Sequence, residues 1–268
     1  VTIALRSAHG TAQLKANSAT RGHGLTTADV LRDDAALMGV VTDNTVLVDG
    51  ASNAHVSCAD TQGNYWVKVY EFTNSPTGVA ADGVTTSLWL CPTVTTRLVS
   101  GTDIVTVTLA ATCFAKCSGV VSYSKAPGKV LAVDGFVGAV SDAATTGPLK
   151  TLSGLVNVQH LYFAVDGWET TQTGFGQVQD ADYASQWNNG STGSANDTNI
   201  KIAGAHRIFS AVTDTHQMSS ALTADSAGIL AAFSEQPKAG NLLNTADSLR
   251  LGSSVVDKAF VGTTKVWG

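Results

Sequence analysis

The chain reads as short runs rich in threonine and valine, broken by Gly, Asn, Asp and Ser. Val and Thr are stiff at χ1 and sit well on a pleated surface. The segment Ile104–Leu109 alternates apolar residues with Thr, the period-2 signature of a half-buried strand. The same reading predicts strands at Leu37–Leu47, Tyr65–Phe72, Thr85–Leu90, Ile104–Ala110, Gly119–Tyr123, Val130–Val140 and Val158–Val165. Further strands are predicted at Gly174–Val178, Ile200–Phe209, Met218–Leu222 and Ile229–Phe233. Asp60-Thr61-Gln62-Gly63-Asn64 carries the residues of a tight hairpin turn. Thr27–Met38 and Thr223–Glu235 contain enough Ala and Leu for helices, but a strand at Ile229–Phe233 suits the surrounding pattern better. Many short strands with regular turn signals predict an all-β fold, a jelly-roll-like β-sandwich.

The sandwich is expected over residues 51–237, after an N-terminal arm or first strands at 1–50. Beyond Gln236-Pro237 the character changes. Leu251-Gly252-Ser253-Ser254-Val255 and Val261-Gly262-Thr263-Thr264-Lys265-Val266 echo each other. Residues 238–268 are therefore expected to form a short C-terminal β-hairpin appendage. A unit of that size cannot bury a core of its own and must dock, with Trp267 as a natural anchor.

Composition sharpens this picture. Charged residues are 14% of the 268 and apolar ones 44%, enough apolar content for a buried core, so intrinsic disorder is excluded. The net charge of −5, without a Lys/Arg cluster, argues against a nucleic-acid partner. No apolar run reaches the roughly 20 residues that a membrane-spanning helix needs. The N-terminal Val1–Arg6 segment is too short and polar for a signal h-region. With so few charges, the surface is left to Thr, Ser, Gly and Asn, as in a part packed against neighbours.

Candidate chemistry is sparse. Cys58, Cys91, Cys113 and Cys117 contain no CxxC pair. Cys113 and Cys117 on one strand would stand about 13 Å apart, too far for a disulfide. The six histidines form neither HExxH nor HxH, so no metal or cofactor is expected. Asp180, Asp182, Asn196 and Asp197 offer only an incomplete oxygen set for calcium. Glu71, Glu169 and Glu235 are widely spread, and nothing selects an acid–base pair from them. GxSxG, P-loop and GxGxxG patterns are absent, so no catalytic residue is nominated and the chain is expected not to be an enzyme. Trp66 and Trp89 read as core. Trp168 and Trp187 flank Gly- and Asn-rich stretches and either cap the ends of the sandwich or form an interaction surface. With Asn188 and Asn189 at the start of a Gly/Asn/Ser loop over Asn188–Asp197, and with Trp267, they are the candidate contact residues.

Three stretches resemble β-sandwich proteins of tailed-bacteriophage virions. They are Asp60–Trp66; Thr86–Leu90 followed by Leu98–Leu109; and Ala205-His206-Arg207-Ile208 leading to Ile229–Phe233. The closing Phe260–Trp267, with its Gly-Thr-Thr-Lys-Val-Trp, is similar to segments of minor tail and fibre proteins of actinobacterial phages. The resemblance implies a virion structural protein in several copies, tail-associated first and capsid-decorating second. Its partners would be capsid or tail subunits and copies of itself. The alternative is a host surface glycan, recognised through Trp168, Trp187 and the Asn188–Asp197 loop. Cys113–Cys117 and the Asn188–Asp197 loop depart from that pattern, and the first fifty residues match it least.

Overall fold

The computed structural model describes residues 3–79, 82–157, 159–170, 177–178, 182–191 and 199–238. It also describes the backbones of four short strands between 249 and 267. Strand makes up 67% of the structure and helix 0%, so Thr27–Met38 and Thr223–Glu235 are not helices. The first six strands are β1 (Ala4–Gly24), β2 (Ala35–Asp43), β3 (His55–Asp60), β4 (Val67–Asn74), β5 (Val84–Cys91) and β6 (Ile104–Ser124). They form one antiparallel sheet in the order β1-β6-β2-β5-β4, with β3 also paired to β6. Next come β7 (Lys129–Thr146), β8 (Lys150–Leu152), β9 (His160–Glu169) and β10 (Gln177–Val178). They are followed by β11 (Ala184–Gly190), β12 (Ile200–Phe209), β13 (Asp214–His216) and β14 (Ser219–Pro237). The second sheet runs β10-β14-β9-β12-β11, with β7 along β14, while β8 and β13 pair as a separate two-stranded ribbon. Near the C-terminus β15 (Leu249–Leu251) pairs β16 (Ser254–Val256), and β17 (Ala259–Val261) pairs β18 (Thr264–Trp267).

The two large sheets pack face to face. Leu37, Val41, Leu88, Leu90 and Val121 of the first meet Leu161, Phe163, Val165, Ile202, Ile229 and Phe233 of the second in one core. Each sheet is also covered on its outer face. Ala36, Met38, Val40, Trp89 and Cys91 point away from the sandwich and pack under Leu25, Val30, Val94 and Leu98. Tyr162, Ala164, Ala203, Leu230 and Ala232 likewise pack under Leu152, Leu155 and Met218. This double covering is why all nine residues of β2 and all eight of β5 are buried. Ala35–Val41 of β2 accordingly reads as a run without polar residues rather than as an alternating one, whereas β5 buries three hydroxyl residues, Thr85, Thr86 and Ser87, beside its apolar ones. Alternation survives where one face is open: Val105, Val107 and Leu109 are buried while Thr106 and Thr108 between them are half-buried.

Several expectations need correction. Ile104–Ala110 and Gly119–Tyr123 are the two ends of one strand, β6, and Ile229–Phe233 and all of Met218–Leu222 except Met218 lie in β14. The polar residues between them interrupt the hydrophobic pattern but not the ladder, since backbone pairing needs no apolar side chain. The turn after Asp60 forms, with Asp60 Oδ1 accepting from the amides of Gln62 and Asn64 at 2.9 and 3.1 Å. It does not close a hairpin, because β3 pairs β6 while β4 pairs β5.

Candidate functional site

The two tryptophans nominated as contact residues are buried, Trp168 at 0% and Trp187 at 1% exposure. Flanking loop residues made them look superficial, but each indole is drawn inward by the apolar area it removes from water. Trp168 joins the core on the outer face of the second sheet. Trp187 fills the middle of the sandwich, against Phe163 at 4.9 Å between ring centroids. Its ring occupies a hollow left by Gly39, Gly119 and Gly204, one from each of three strands. A Cβ at Gly39 would lie 2.5 Å from the indole, and one at Gly119 or Gly204 would come closer still. Asn188 and Asn189 belong to strand β11 rather than to a loop, paired with Ala203 and Ile202. Asn188 is exposed, whereas Asn189 donates to Thr11 Oγ1 at 2.9 Å and ties β11 to β1. The rest of the expected loop, 192–197, and the Trp267 side chain lie outside the described residues, as do Asp180, Asn196 and Asp197. Asp182 faces Arg207 at 3.3 Å.

Two ionisable clusters emerge that sequence spacing did not reveal. The first lies on the outer face of the second sheet, under the β8–β13 ribbon. Lys150 Nζ contacts Asp166 Oδ1 and also donates to the Pro148 carbonyl at 3.1 Å. His216, opposite Lys150 in the ribbon, places Nδ1 3.7 Å from Asp166 Oδ2. All three side chains are fully buried. Burial pushes the Lys150 ammonium down and the Asp166 carboxyl up, with their mutual attraction opposing both shifts. It also pushes His216 down to about 2, helped by the neighbouring lysine, so the imidazole is neutral.

The second cluster sits at one end of the sandwich. Glu169 at the end of β9 is directly opposite Asp225 of β14. Asp82 comes to them from the β4–β5 connection, and one oxygen of each of the three carboxylates lies within 4.8 Å of the others. Like charges directly opposite across a ladder repel. Burial, with Asp82, Asp225 and Asp43 adding to it, pushes Glu169 up to about 8, although the Gly83 amide donates to it at 2.5 Å. Asp225 is raised as well, chiefly by burial. A proton on Glu169 relieves this repulsion. The three carboxylates could also hold a hard divalent cation, which takes oxygen ligands.

Three further buried histidines are held by hydroxyl groups. His9 and His23 bond to Ser122 and Ser118 at 2.7 and 3.0 Å, and His55 bonds to Ser87 and Thr42 at 2.6 and 3.0 Å. The four cysteines are free, and burial pushes their thiols up, Cys91 and Cys117 to about 12. A thiol so shifted is an inert core residue rather than a nucleophile.

A legible trace of the buried cluster existed. Asp166 interrupts the apolar run Leu161–Val165, and an acid on such a strand must find a partner. Nothing in the sequence pointed to Lys150 as that partner. No family model, curated protein or solved structure matches the chain.

Proposed function

We propose that this chain is a non-enzymatic structural protein of a tailed-phage virion, assembled in several copies at the tail. The observation that carries the reading is a body covered on both faces of both sheets whose connecting loops still present apolar side chains. Leu47, Val48 and Val79 are exposed on two connections that the Asn44 side chain links, donating to the carbonyls of Val46 and Val79 at 3.5 and 3.3 Å. Val156, 86% exposed, and Val212 lie on two further connections, joined by the Leu155 amide to the Val212 carbonyl at 3.2 Å. Such side chains gain roughly 25 cal/mol for each apolar Å² that a neighbour covers, before association costs. Many copies make weak contacts collectively strong. The low charge count removes much of the desolvation penalty that close packing would otherwise bring. Burial of Trp168 and Trp187 takes away the aromatic platform on which a glycan-binding role was based.

Quantitative mass spectrometry of purified particles tests this. The chain is expected at a fixed ratio to the tail subunits, and in tails separated from capsids. Recovery with tail-free capsids would assign it to capsid decoration instead. Recovery only in the soluble lysate would sink the virion reading.

A further inference from the structure

Lys150, Asp166 and His216 are more closely arranged than a structural ion pair requires. A buried ion pair contributes little net stability, because desolvating both charges offsets their attraction. Here the geometry has three further features. Asp166 Oδ2 accepts no hydrogen bond, and neither ring nitrogen of His216 has a hydrogen-bond partner. The imidazole nonetheless faces that oxygen at 3.7 Å. Opposite Asp166 in β14 stands Gly228, and a Cβ there would lie 2.8 Å from Lys150 Nζ, so the glycine leaves open the place where amine and carboxyl meet. Lys150, Asp166 and His216 are all fully buried, on the face of the sheet where Leu152, Tyr162, Ala164, Met218 and Leu230 form an apolar core.

We propose that Lys150 and Asp166 condense into an intramolecular side-chain amide, an isopeptide bond, with His216 relaying a proton to the leaving oxygen. In the dry site the proton passes from the ammonium to the carboxylate, since burial disfavours both charges. The Nζ lone pair of the neutral amine then adds to Cγ, forming the C–N bond. The neutral His216 imidazole carries the proton that nitrogen sheds to Oδ2. Oδ2 also takes the carboxyl's own proton as the Cγ–Oδ2 bond breaks, so it leaves as water and Oδ1 becomes the amide carbonyl. In sum, one ammonium and one carboxylate become one amide and one water, with no oxidant, reductant or cofactor. The product staples β8 to β9 and holds the ribbon on the sheet. It does not depend on the virion reading.

The test is the intact mass of the purified full-length chain under denaturing conditions. The wild type is expected one water lighter than its sequence, and trypsin is expected to leave residues 130–201 as a single peptide uncut after Lys150. Lys150→Arg is expected at full sequence mass. Asp166→Asn is expected to lose ammonia instead and arrive at the wild-type product mass. His216→Phe is expected to leave a fraction of the chain uncondensed, and complete condensation in that variant would overturn the relay. Asp166-Gly167 can also lose water alone, as a succinimide. That product would survive in Lys150→Arg and open in mild base, whereas an amide would do neither. A wild-type chain at full sequence mass, or a water loss that persists in Lys150→Arg, overturns the proposal.

Discussion

Trp187 shows how one residue organises a fold. Its ring lies over glycines in β2, β6 and β12, and its Nε1 donates to the Val120 carbonyl at 3.3 Å. Glycine within a strand weakens it, and its presence marks a close approach of something large. Here the large group is the indole. Disturbing that fit should be costly from either side. Gly119→Ala is expected to destabilise by about 1–3 kcal/mol through overpacking. Trp187→Ala is expected to cost about 3–5 kcal/mol through the cavity it leaves. Urea unfolding of both variants measures this, and an unchanged midpoint for Gly119→Ala would show that the seat has slack. The three glycines were visible in the sequence, within or at the start of predicted strands. Their common purpose was not, because residues so far apart in sequence are brought together only by the packing of two sheets.

At the scale of elements, the ends of β9 and β14 hold a built-in conflict. Glu169 and Asp225 oppose each other in register, and Asp82 adds a third carboxylate. Glu169 is pushed up from 4.5 to about 8, so the folded state keeps a proton there that the unfolded chain gives up. Its contribution to stability therefore falls as pH rises between those values and is flat beyond them. Glu169→Gln removes the titration and keeps an acceptor for the Gly83 amide. It is expected to raise stability at pH 8 by about 1 kcal/mol, a figure reduced for the partial solvent access of the group, and to change little in acid. Thermal melts at the two pH values decide this; equal melts of variant and wild type at pH 8 would refute it. The long strands carry a different lesson. β6 and β14 were each legible only as two separate apolar patches, because hydrophobicity reports burial while pairing follows the backbone. β1, with its mixture of Ser, Thr, Lys and Arg, showed no strand pattern, and it is a strand because β6 offers it an edge.

For the whole molecule, burial of histidine sets the response to acid. His23 and His206 are pushed down to about 4, His55 to about 3 and His216 to about 2, all chiefly by burial. The unfolded chain binds protons at these sites below about 6.5, where the folded chain does not, so stability falls as pH drops through that value. Asp43, pushed up to about 6 by burial, and Glu169 act in the opposite direction. Below about pH 6.5 the histidines draw stability down as pH falls, and above it Glu169 draws stability down as pH rises toward about 8. Stability is thus expected to peak near neutral pH, and thermal midpoints measured from about pH 5 to about pH 8 check it. A midpoint that rises steadily toward acid would contradict the burial of these rings.

The sequence by itself determined the class of the fold. Valine, threonine and turn residues at short spacing leave a chain no economical alternative to antiparallel sheet, and a low charge count demands a large buried area. It also determined that Trp66, Trp89 and the alternating Val105, Val107 and Leu109 belong to the core, since those signals are local. Only the tertiary structure decided which strands pair, that each sheet is covered on both faces, and that Trp187 lies inside while Asn188 beside it lies outside. It alone decided that Lys150, Asp166 and His216 share one dry pocket and that Asp82, Glu169 and Asp225 share one rim. Ionisable groups get their chemistry from neighbours and from exclusion of water, and both are set by contacts between residues far apart in the chain.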